Sequence, residues 1–567
     1  MLTELNPGFL MMAGALLVPV LPANLRGAYA VGLSVVVFAL IVSLTPGAYG
    51  TFELFDFTLT SLRVDRLSLI FAYIFSVAAI LGMLYAFHLK DWLQPTMALI
   101  YAGAAIAAVF AGDFITLFIG WEITAISSVF LIWAAGTRAG QAAGMRYLIV
   151  QVGSGVILLA GILIYAHQTG SIAFNAVSPD DIGGQLILLG IGIKCAFPFL
   201  HNWLQDAYPE ATITGTVILS AFTTKLAVYA LARGFAGTEI LIPIGCIMAL
   251  FPLAYAIVED DLRRVLAYLL NNQLGFMVVG VGVGTELALN GVGVHAVSHV
   301  LYKALLFMSI GAVLYRTGTA KASELGGLWS AMPFTAIITI VATAAMSAPL
   351  FAGFVTKSLI ISGTAADGHF WAWIVLLLAT QGAVFAGLRI IYVTFLAPPA
   401  ARSTARPIGP ELPVNMPAAM IITALACLVV GLIPSTIYSL GPFPVDYKVY
   451  KFGYVITQLQ ALAVTGLAFA LAVRHGLLPE PRAARLLDTD WFFRRIAHDT
   501  GSTVLLLAGD SIRSAAHQGS NLFHAIERKI HVHYNPEGLL GRTWPTGWMA
   551  FWATLMLGAY LLVFYFR

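Results

Sequence analysis

Gly192–Lys225 reads GIKCAFPFLHNWLQDAYPEATITGTVILSAFTTK. Lys194 sits in an apolar run and Pro198 follows four residues later. His201, Trp203, Asp206 and Glu210 come next, and a second apolar run then carries Lys225. A charge near the centre of a membrane helix costs about 3 kcal/mol or more on insertion scales, so such a residue points to function. A proline cannot donate to the carbonyl four residues before it, and here that carbonyl belongs to Lys194. The spacing predicts a helix that breaks beside its own buried charge. Broken backbone at membrane depth is tolerated only where protein or a wet cavity lines it. That is the pattern of the discontinuous helices of transporters.

The rest of the chain fits this setting. It has 567 residues, 59% hydrophobic and 10% charged, with a mean hydropathy of +0.88. A soluble domain carries about 25% charged residues. The formal net charge of +3 gives no support to a nucleic-acid partner. Cys195, Cys246 and Cys427 are scattered in apolar segments without a CxxC spacing, so no metal or iron–sulfur site is expected. No nucleotide-binding glycine loop, flavin or quinone signature is present, and no cofactor is expected. The N-terminal MLTELNPGF has an acidic residue and no basic region, so it reads as the start of a span and not as a cleaved signal.

The apolar runs predict an all-α polytopic membrane protein with about sixteen spans. They cover residues 8–22, 29–45, 67–87, 97–111, 114–135, 145–166, 184–201, 212–234, 239–257, 262–283, 287–314, 333–361, 371–396, 417–440, 453–474 and 547–566. Connections are short up to residue 475, which suggests one bundle. The organisation expected is N-terminal helices (1–96), a translocation core (97–396), further core helices (397–474), a polar segment (475–546) and a final span (547–567). Within the polar segment, Trp491 to Val532 reads as an amphipathic helix lying along the cytoplasmic face. Arg26, Lys90, Arg138, Arg263, Arg264, Arg316, Lys321, Arg402, Arg406 and Arg474 fall on one side of this count. The positive-inside rule makes that side cytoplasmic. Both termini then face outward from a bacterial inner membrane.

Seven ionisable residues lie near the centres of their spans: Glu122, Lys194, Lys225, His295, His299, Lys303 and Lys357. Glu122 is the natural partner of Lys194, because pairing lowers the cost of both charges. His295, His299 and Lys303 are spaced by four and share one helix face, about 6 Å apart per step. Ser298 and Tyr302 lie beside them. Histidine titrates near neutrality, so the row is a candidate proton relay. Pro349 and Gly353 interrupt the twelfth span just before Lys357, echoing Lys194 and Pro198. Two such helices five spans apart suggest inverted five-helix repeats, spans 4–8 and 9–13, since an odd number of crossings reverses the second copy. Glu259, Asp260 and Asp261, followed by Arg263 and Arg264, read as a water-exposed loop cluster anchoring a helix end.

These motifs resemble the antiporter-like subunits of respiratory complex I and the large subunits of Mrp-type sodium/proton antiporters. The resemblance covers residues 60–440. It rests on VDRLSLIF (64–71), FIGWEITAISS (118–128), K-x3-P-x2-H-x-W-L-x-D-A from Lys194 to Ala207, and DLRRVLAY (261–268) with QLG (273–275). It rests also on H-x3-H-x3-K-A-L-L-F (295–307), LGGL (325–328) and GFVTK (353–357). It implies a fourteen-helix core with two inverted half-channels. Glu122 and Lys194 would form the key pair of the first. Lys225 would link it to His295, His299 and Lys303, and Lys357 would end the second. His201, Asp206, Asp261, Arg263, Ser298 and Tyr302 would support the path. Lysine at 357, the extra spans and the lateral helix bring the chain nearest to the Mrp large subunits and the distal complex I subunit. One departure is Arg263–Arg264, where the family often has lysine, so no titration is expected there. The implied partners are other membrane subunits, the lipid bilayer, protons and sodium. The implied function is that of a proton- or cation-translocating subunit, at most the pumping part of a redox-driven translocase. The alternatives are a membrane subunit of an inorganic-carbon uptake complex and a purely structural subunit.

Overall fold

The computed structural model describes residues 5–54, 57–398, 411–481, 487–489, 491, 528–529 and 546–565. Helix α1 (Pro7–Ala15), extended by a 3-10 turn over Val18–Val20, and α2 (Arg26–Ser43) lead into a hairpin of β1 (Gly47–Leu54) and β2 (Phe57–Val64). Then come α3 (Arg66–Tyr85), α4 (Leu93–Val109), α5 (Phe114–Trp133), α6 (Arg138–Thr169) and α7 (Ile182–Lys194). The short α8 (Asn202–Ala207) and a 3-10 turn (Tyr208–Glu210) connect to α9 (Ile213–Leu219) and α10 (Thr223–Gly234). The next group is α11 (Leu241–Val258), α12 (Leu262–Val283), α13 (Glu286–Thr317), α14 (Pro333–Ala344), α15 (Ala352–Ala366) and α16 (Phe370–Ile391), which ends in a π turn (Tyr392–Leu396). It is followed by α17 (Asn415–Leu432), α18 (Pro434–Tyr438), α19 (Phe452–Arg474) and α20 (Thr546–Tyr565). The chain divides into Met1–Leu486, which holds α1 to α19, and Leu487–Arg567, whose described residues include α20.

Twelve helices among the described residues are long and apolar enough to cross a membrane. Four shorter apolar helices, Pro7–Val20, Leu93–Val109, Ile182–Lys194 and Pro333–Ala344, occupy the other expected spans. The chain is a multi-pass, mostly helical membrane protein. The lateral helix expected over 491–532 falls almost wholly outside the described residues.

Two stretches share one register. The starts of α4, α5 and α6 (Leu93, Phe114, Arg138) and of α11, α12 and α13 (Leu241, Leu262, Glu286) are each displaced by 148 residues. The ends of the helices agree as well. Asp113 and Asp261 cap α5 and α12, Thr137 and Thr285 cap α6 and α13, and Gly170 and Gly318 close α6 and α13 in the left-handed conformation. The isolated bridge of Asp113 with Ala173 recurs as Asp261 with Lys321 at the same displacement. Side-chain capping satisfies the orphan amides that begin each helix, and glycine takes the positive φ that ends it. The same local chemistry is therefore used twice. Five crossings separate equivalent helices, so the second copy runs through the membrane in the opposite sense.

The hairpin departs from the all-helical expectation. TFELFDFTLTSL alternates with period two, the strand signature, but it falls between two strong helical signals. Its strands pair antiparallel, with Gly47 opposite Val64 and Leu54 opposite Phe57. Gly112 N donates to the Thr60 carbonyl at 2.9 Å and Thr60 N donates to Asp113 Oδ2 at 2.7 Å. The hairpin is thus tied to the turn that positions α5.

At the hairpin's end, Asp65 and Ser68 form a reciprocal cap on α3, and Arg233 Nη2 lies 2.7 Å from Asp65 Oδ1. Burial opposes ionisation of Asp65, but the hydrogen bond and charge of Arg233 outweigh it and hold the carboxyl below the usual carboxylate range. A lowered folded-state pKa contributes stability that is complete above the unfolded value of about 3.9 and is lost as pH falls through the folded value. Asp65→Asn is expected to destabilise the detergent-solubilised protein at pH 7 by about 1 kcal/mol, a figure discounted for partial exposure. In thermal unfolding, the gap from the wild type should close below about pH 4.

Candidate functional site

Helix α7 stops at Lys194, as the proline spacing predicts. Ala196 and Phe199 then take φ of 62° and 67°, a left-handed path that only a supported break sustains. The indole of Trp203 donates to the Ile193 carbonyl at 2.9 Å, so the exposed helix end is partly satisfied by a side chain. Lys194 is fully buried. Its ammonium donates to the Trp121 carbonyl and to Thr124 Oγ1 at 3.2 Å, and lies 4.4 Å from the centre of the Trp121 ring.

Glu122 stands next to these acceptors on α5. Its carboxylate packs on Gly155 of α6, where any Cβ would collide with Oε1. Oε1 has no hydrogen-bond partner. Glu122 and Lys194 are electrostatic neighbours, but their side chains make no ion pair within 4 Å among the described residues. The expected pairing is therefore through space, because the Trp121 carbonyl and Thr124 hydroxyl hold the ammonium. Of the supporting residues, His201 is buried with its ring 4.6 Å from that of Phe251, and Asp206 accepts from Arg146 Nε at 2.7 Å.

The eighth span is also broken, which no proline or glycine announces. Helix α9 ends at Leu219 and α10 begins at Thr223. Thr223 N donates to the hydroxyl of Tyr101 at 3.0 Å. The Ser220 carbonyl, freed by the break, accepts from Lys225 Nζ at 2.7 Å. The only sequence signal is the run of hydroxyl residues Ser220, Thr223 and Thr224 around the lysine.

Helix α13 carries the row of His295, His299 and Lys303, all fully buried. The two imidazoles are nearly parallel, with centroids 6.0 Å apart. His295 Nδ1 meets Thr356 Oγ1 at 2.9 Å, which joins the row to α15 beside Lys357. Neither ring nitrogen of His299, nor Lys303 Nζ, nor Ser298 Oγ has a hydrogen-bond partner among the described residues. Tyr302 donates to Gln273 Oε1 at 2.9 Å. Gln273 donates to Asn272, which donates to the Ala249 carbonyl. Lys225 acts on His295, His299 and Lys303 through space, so the two halves meet at this row.

Lys357 follows a break between α14 and α15 in which Leu350 has φ 72°. Its ammonium reaches back to Ser347 Oγ at 2.9 Å and lies 5.3 Å from the Phe276 ring centre. Lys194 precedes its break and Lys357 follows its own. Gly353 N donates to the Ala345 carbonyl at 2.9 Å.

The acidic loop differs from expectation. Glu259 is 2% exposed and Asp260 is 5% exposed, so the cluster is buried and not bathed in water. Asp261 caps α12 as expected, accepting from Arg263 N at 2.9 Å. Beyond that, Arg263 donates to the Ala211 carbonyl at 2.9 Å and Arg264 to the Gln205 carbonyl at 3.2 Å. Both carbonyls belong to the segment that follows the α7 break. Ser323 donates twice to Asp260 at 2.8 Å. The cluster is buried because it joins the two halves of the fold.

A methyl group at Gly353 would strike the Ala345 and Met346 carbonyls. Gly353→Ala should therefore cost on the order of 2–4 kcal/mol. Gly153 of α6 has nothing within 4 Å, so Gly153→Ala should be neutral or stabilising by up to about 1 kcal/mol. Unfolding midpoints of the two variants in detergent check this difference.

A family described as "NADH:quinone oxidoreductase/Mrp antiporter, TM" matches residues 111–382. The N subunit of the NADH-quinone oxidoreductase from Desulforudis audaxviator is 31% identical over 58% of this chain and 72% of its own length. A Rhizobium meliloti protein, described as a probable potassium/proton antiporter component, is 32% identical over 76% of this chain, which spans 47% of that longer relative. Among solved structures, one chain of the Mrp complex from Dietzia superposes with a TM-score of 0.68 at 20% identity, covering 80% of this chain and 98% of the other. The shared fold, the matched core and the identity to the oxidoreductase N subunit agree, and the chain belongs to the NADH:quinone oxidoreductase/Mrp antiporter transmembrane family.

Proposed function

We propose that the chain is a proton-translocating subunit of a multisubunit membrane complex of the Mrp or complex I-like type. The observation that carries this reading is the buried polar row from Lys303 through His299 and His295 to Thr356 beside Lys357. It begins near Lys225 in one broken span and ends at another. Protons pass between Glu122 and Lys194 in the first half, cross by Lys225 and the α13 row, and leave from Lys357. His201, Asp206, Asp261, Arg263, Ser298 and Tyr302 hold the helices and side chains that frame this path.

The physical argument is electrostatic. Along this path four lysines and two histidines are buried, and the half-buried Glu122 stands at its start. In a low dielectric a proton at one of these sites makes the next more costly, so charge at one end is felt along the row. The drive comes from partner subunits in the membrane or from exchange for sodium. The gathering of basic residues on one side supports a cytoplasmic position for that face in a bacterial inner membrane, with both termini outside.

The test uses the complex that co-purifies with the chain, reconstituted in vesicles with a pH-sensitive dye. Glu122→Gln, Lys194→Ala and Lys357→Ala should each lower proton flux at least about tenfold while the composition of the complex stays intact, the loss expected when a charged link is removed. Wild-type flux in assembled Glu122→Gln and Lys194→Ala complexes would overturn the reading.

A further inference from the structure

Gln151 is fully buried on α6, and neither its amide oxygen nor its amide nitrogen has a hydrogen-bond partner among the described residues. An unpaired buried polar group is costly, and each one in a folded structure calls for a reason. An apolar side chain would fill this position at less cost.

Its surroundings give the reason. Four residues before it, Tyr147 shares a hydrogen bond of 2.8 Å with Ser128 and packs on Trp203, ring centres 5.6 Å apart. Three and four residues after it stand Ser154 and Gly155. Ser154 donates to the Gly190 carbonyl at 2.7 Å and accepts from the Trp121 indole at 3.3 Å. Gly155 supports the Glu122 carboxylate. Residues three and four apart on a helix share a face. Gln151 therefore lies between the layer of Glu122 and Trp121 and the layer of Tyr147, Ser128 and Trp203. The titratable and charged groups on elements packed against α6 are Glu122 on α5, Lys194 on α7, Asp206 on α8, and Tyr208 and Glu210 on the 3-10 turn. Tyr147 and Arg146 lie on α6 itself.

The internal register supplies an independent argument. A displacement of 148 residues carries α6 onto α13 with identical length and matching caps. It carries Tyr147 to His295, Gln151 to His299, Ser154 to Tyr302 and Gly155 to Lys303. The face that forms the α13 row thus recurs on α6 as a polar face. The amide of Gln151 stands where the row's central imidazole stands, and both are buried without hydrogen-bond partners among the described residues.

We propose that Gln151 is a positioning residue of the first half-channel. Its amide donates and accepts within the hydrogen-bonded path from the Tyr147–Ser128 layer to Glu122, doing there without a charge what His299 does in the second half. This rests on the translocation reading above.

The test compares Gln151→Leu, Gln151→His and Glu122→Gln in the reconstituted complex. Leucine fills the site but ends the path, so proton flux should fall at least about tenfold with assembly retained. Histidine restores a donor and an acceptor, so flux should stay within about threefold of wild type. It should also add an inflection to the pH profile beyond any that His295 and His299 give wild type, since it introduces a further titrating group into the path. Wild-type flux in Gln151→Leu together with a dead Glu122→Gln overturns the role of Gln151 alone. Wild-type flux in Glu122→Gln overturns the translocation reading itself. Should Gln151→Leu fail to assemble, the pH profile of Gln151→His decides: an unchanged profile overturns the proposal and a new inflection supports it.

Discussion

An ammonium group inside a membrane needs acceptors, and regular helices have few to spare. Each carbonyl in a continuous helix already accepts from an amide one turn on and offers only its second lone pair. This structure breaks helices next to three of its four buried lysines, while Lys303 lies in the unbroken α13. The break in the eighth span gives Lys225 the Ser220 carbonyl, and the break in the twelfth gives Lys357 the Ser347 hydroxyl. Lys194 ends its helix and reaches across to α5, where the Trp121 carbonyl and Thr124 receive it. The irregular backbone, the hydroxyl residues and the buried charges are one arrangement. Removing the charges would leave unsatisfied backbone, and straightening the helices would strand the charges.

Much of this is legible in the residues, because the strongest signals are chemical. A lysine or histidine in an apolar run stands out whatever the fold, and a proline four residues from a lysine says where the helix ends. The run from His295 to Lys303 declares its shared face by spacing alone. What stays hidden depends on partners distant in the chain. Around Ser220 only a run of hydroxyl residues hints at a break, since the amide that needs capping is met by Tyr101, over a hundred residues away. Glu122 and Lys194 look like a contact pair because spacing cannot show that a carbonyl and a hydroxyl hold the ammonium more closely. The hairpin is hard to see because its alternation is short beside two long apolar runs.

The acidic loop before α12 shows the same limit more sharply. Three acids and two arginines in a row resemble a solvated helix end, and solvated ends are the rule for such charge. Here the arginines find backbone carbonyls of the segment that follows the α7 break. Their surroundings are assembled by tertiary packing, so composition alone misjudges the exposure. The consequence is mechanical. The segment after the α7 break is bonded to the start of α12, and Asp260 of the same loop is fastened to Ser323.

The 148-residue register has a meaning beyond economy of design. Two copies of one scaffold, inserted in opposite senses, form an object that looks alike from either side of the membrane. Such an object has no preferred direction: whatever it permits inward, it permits outward equally. Within the three helices that keep the register, the chain departs from that balance in its side chains, with a carboxylate seated on a glycine in one copy and a lysine occupying that glycine's place in the other. Between those helices, polarity therefore resides in a few substitutions laid over a directionless frame.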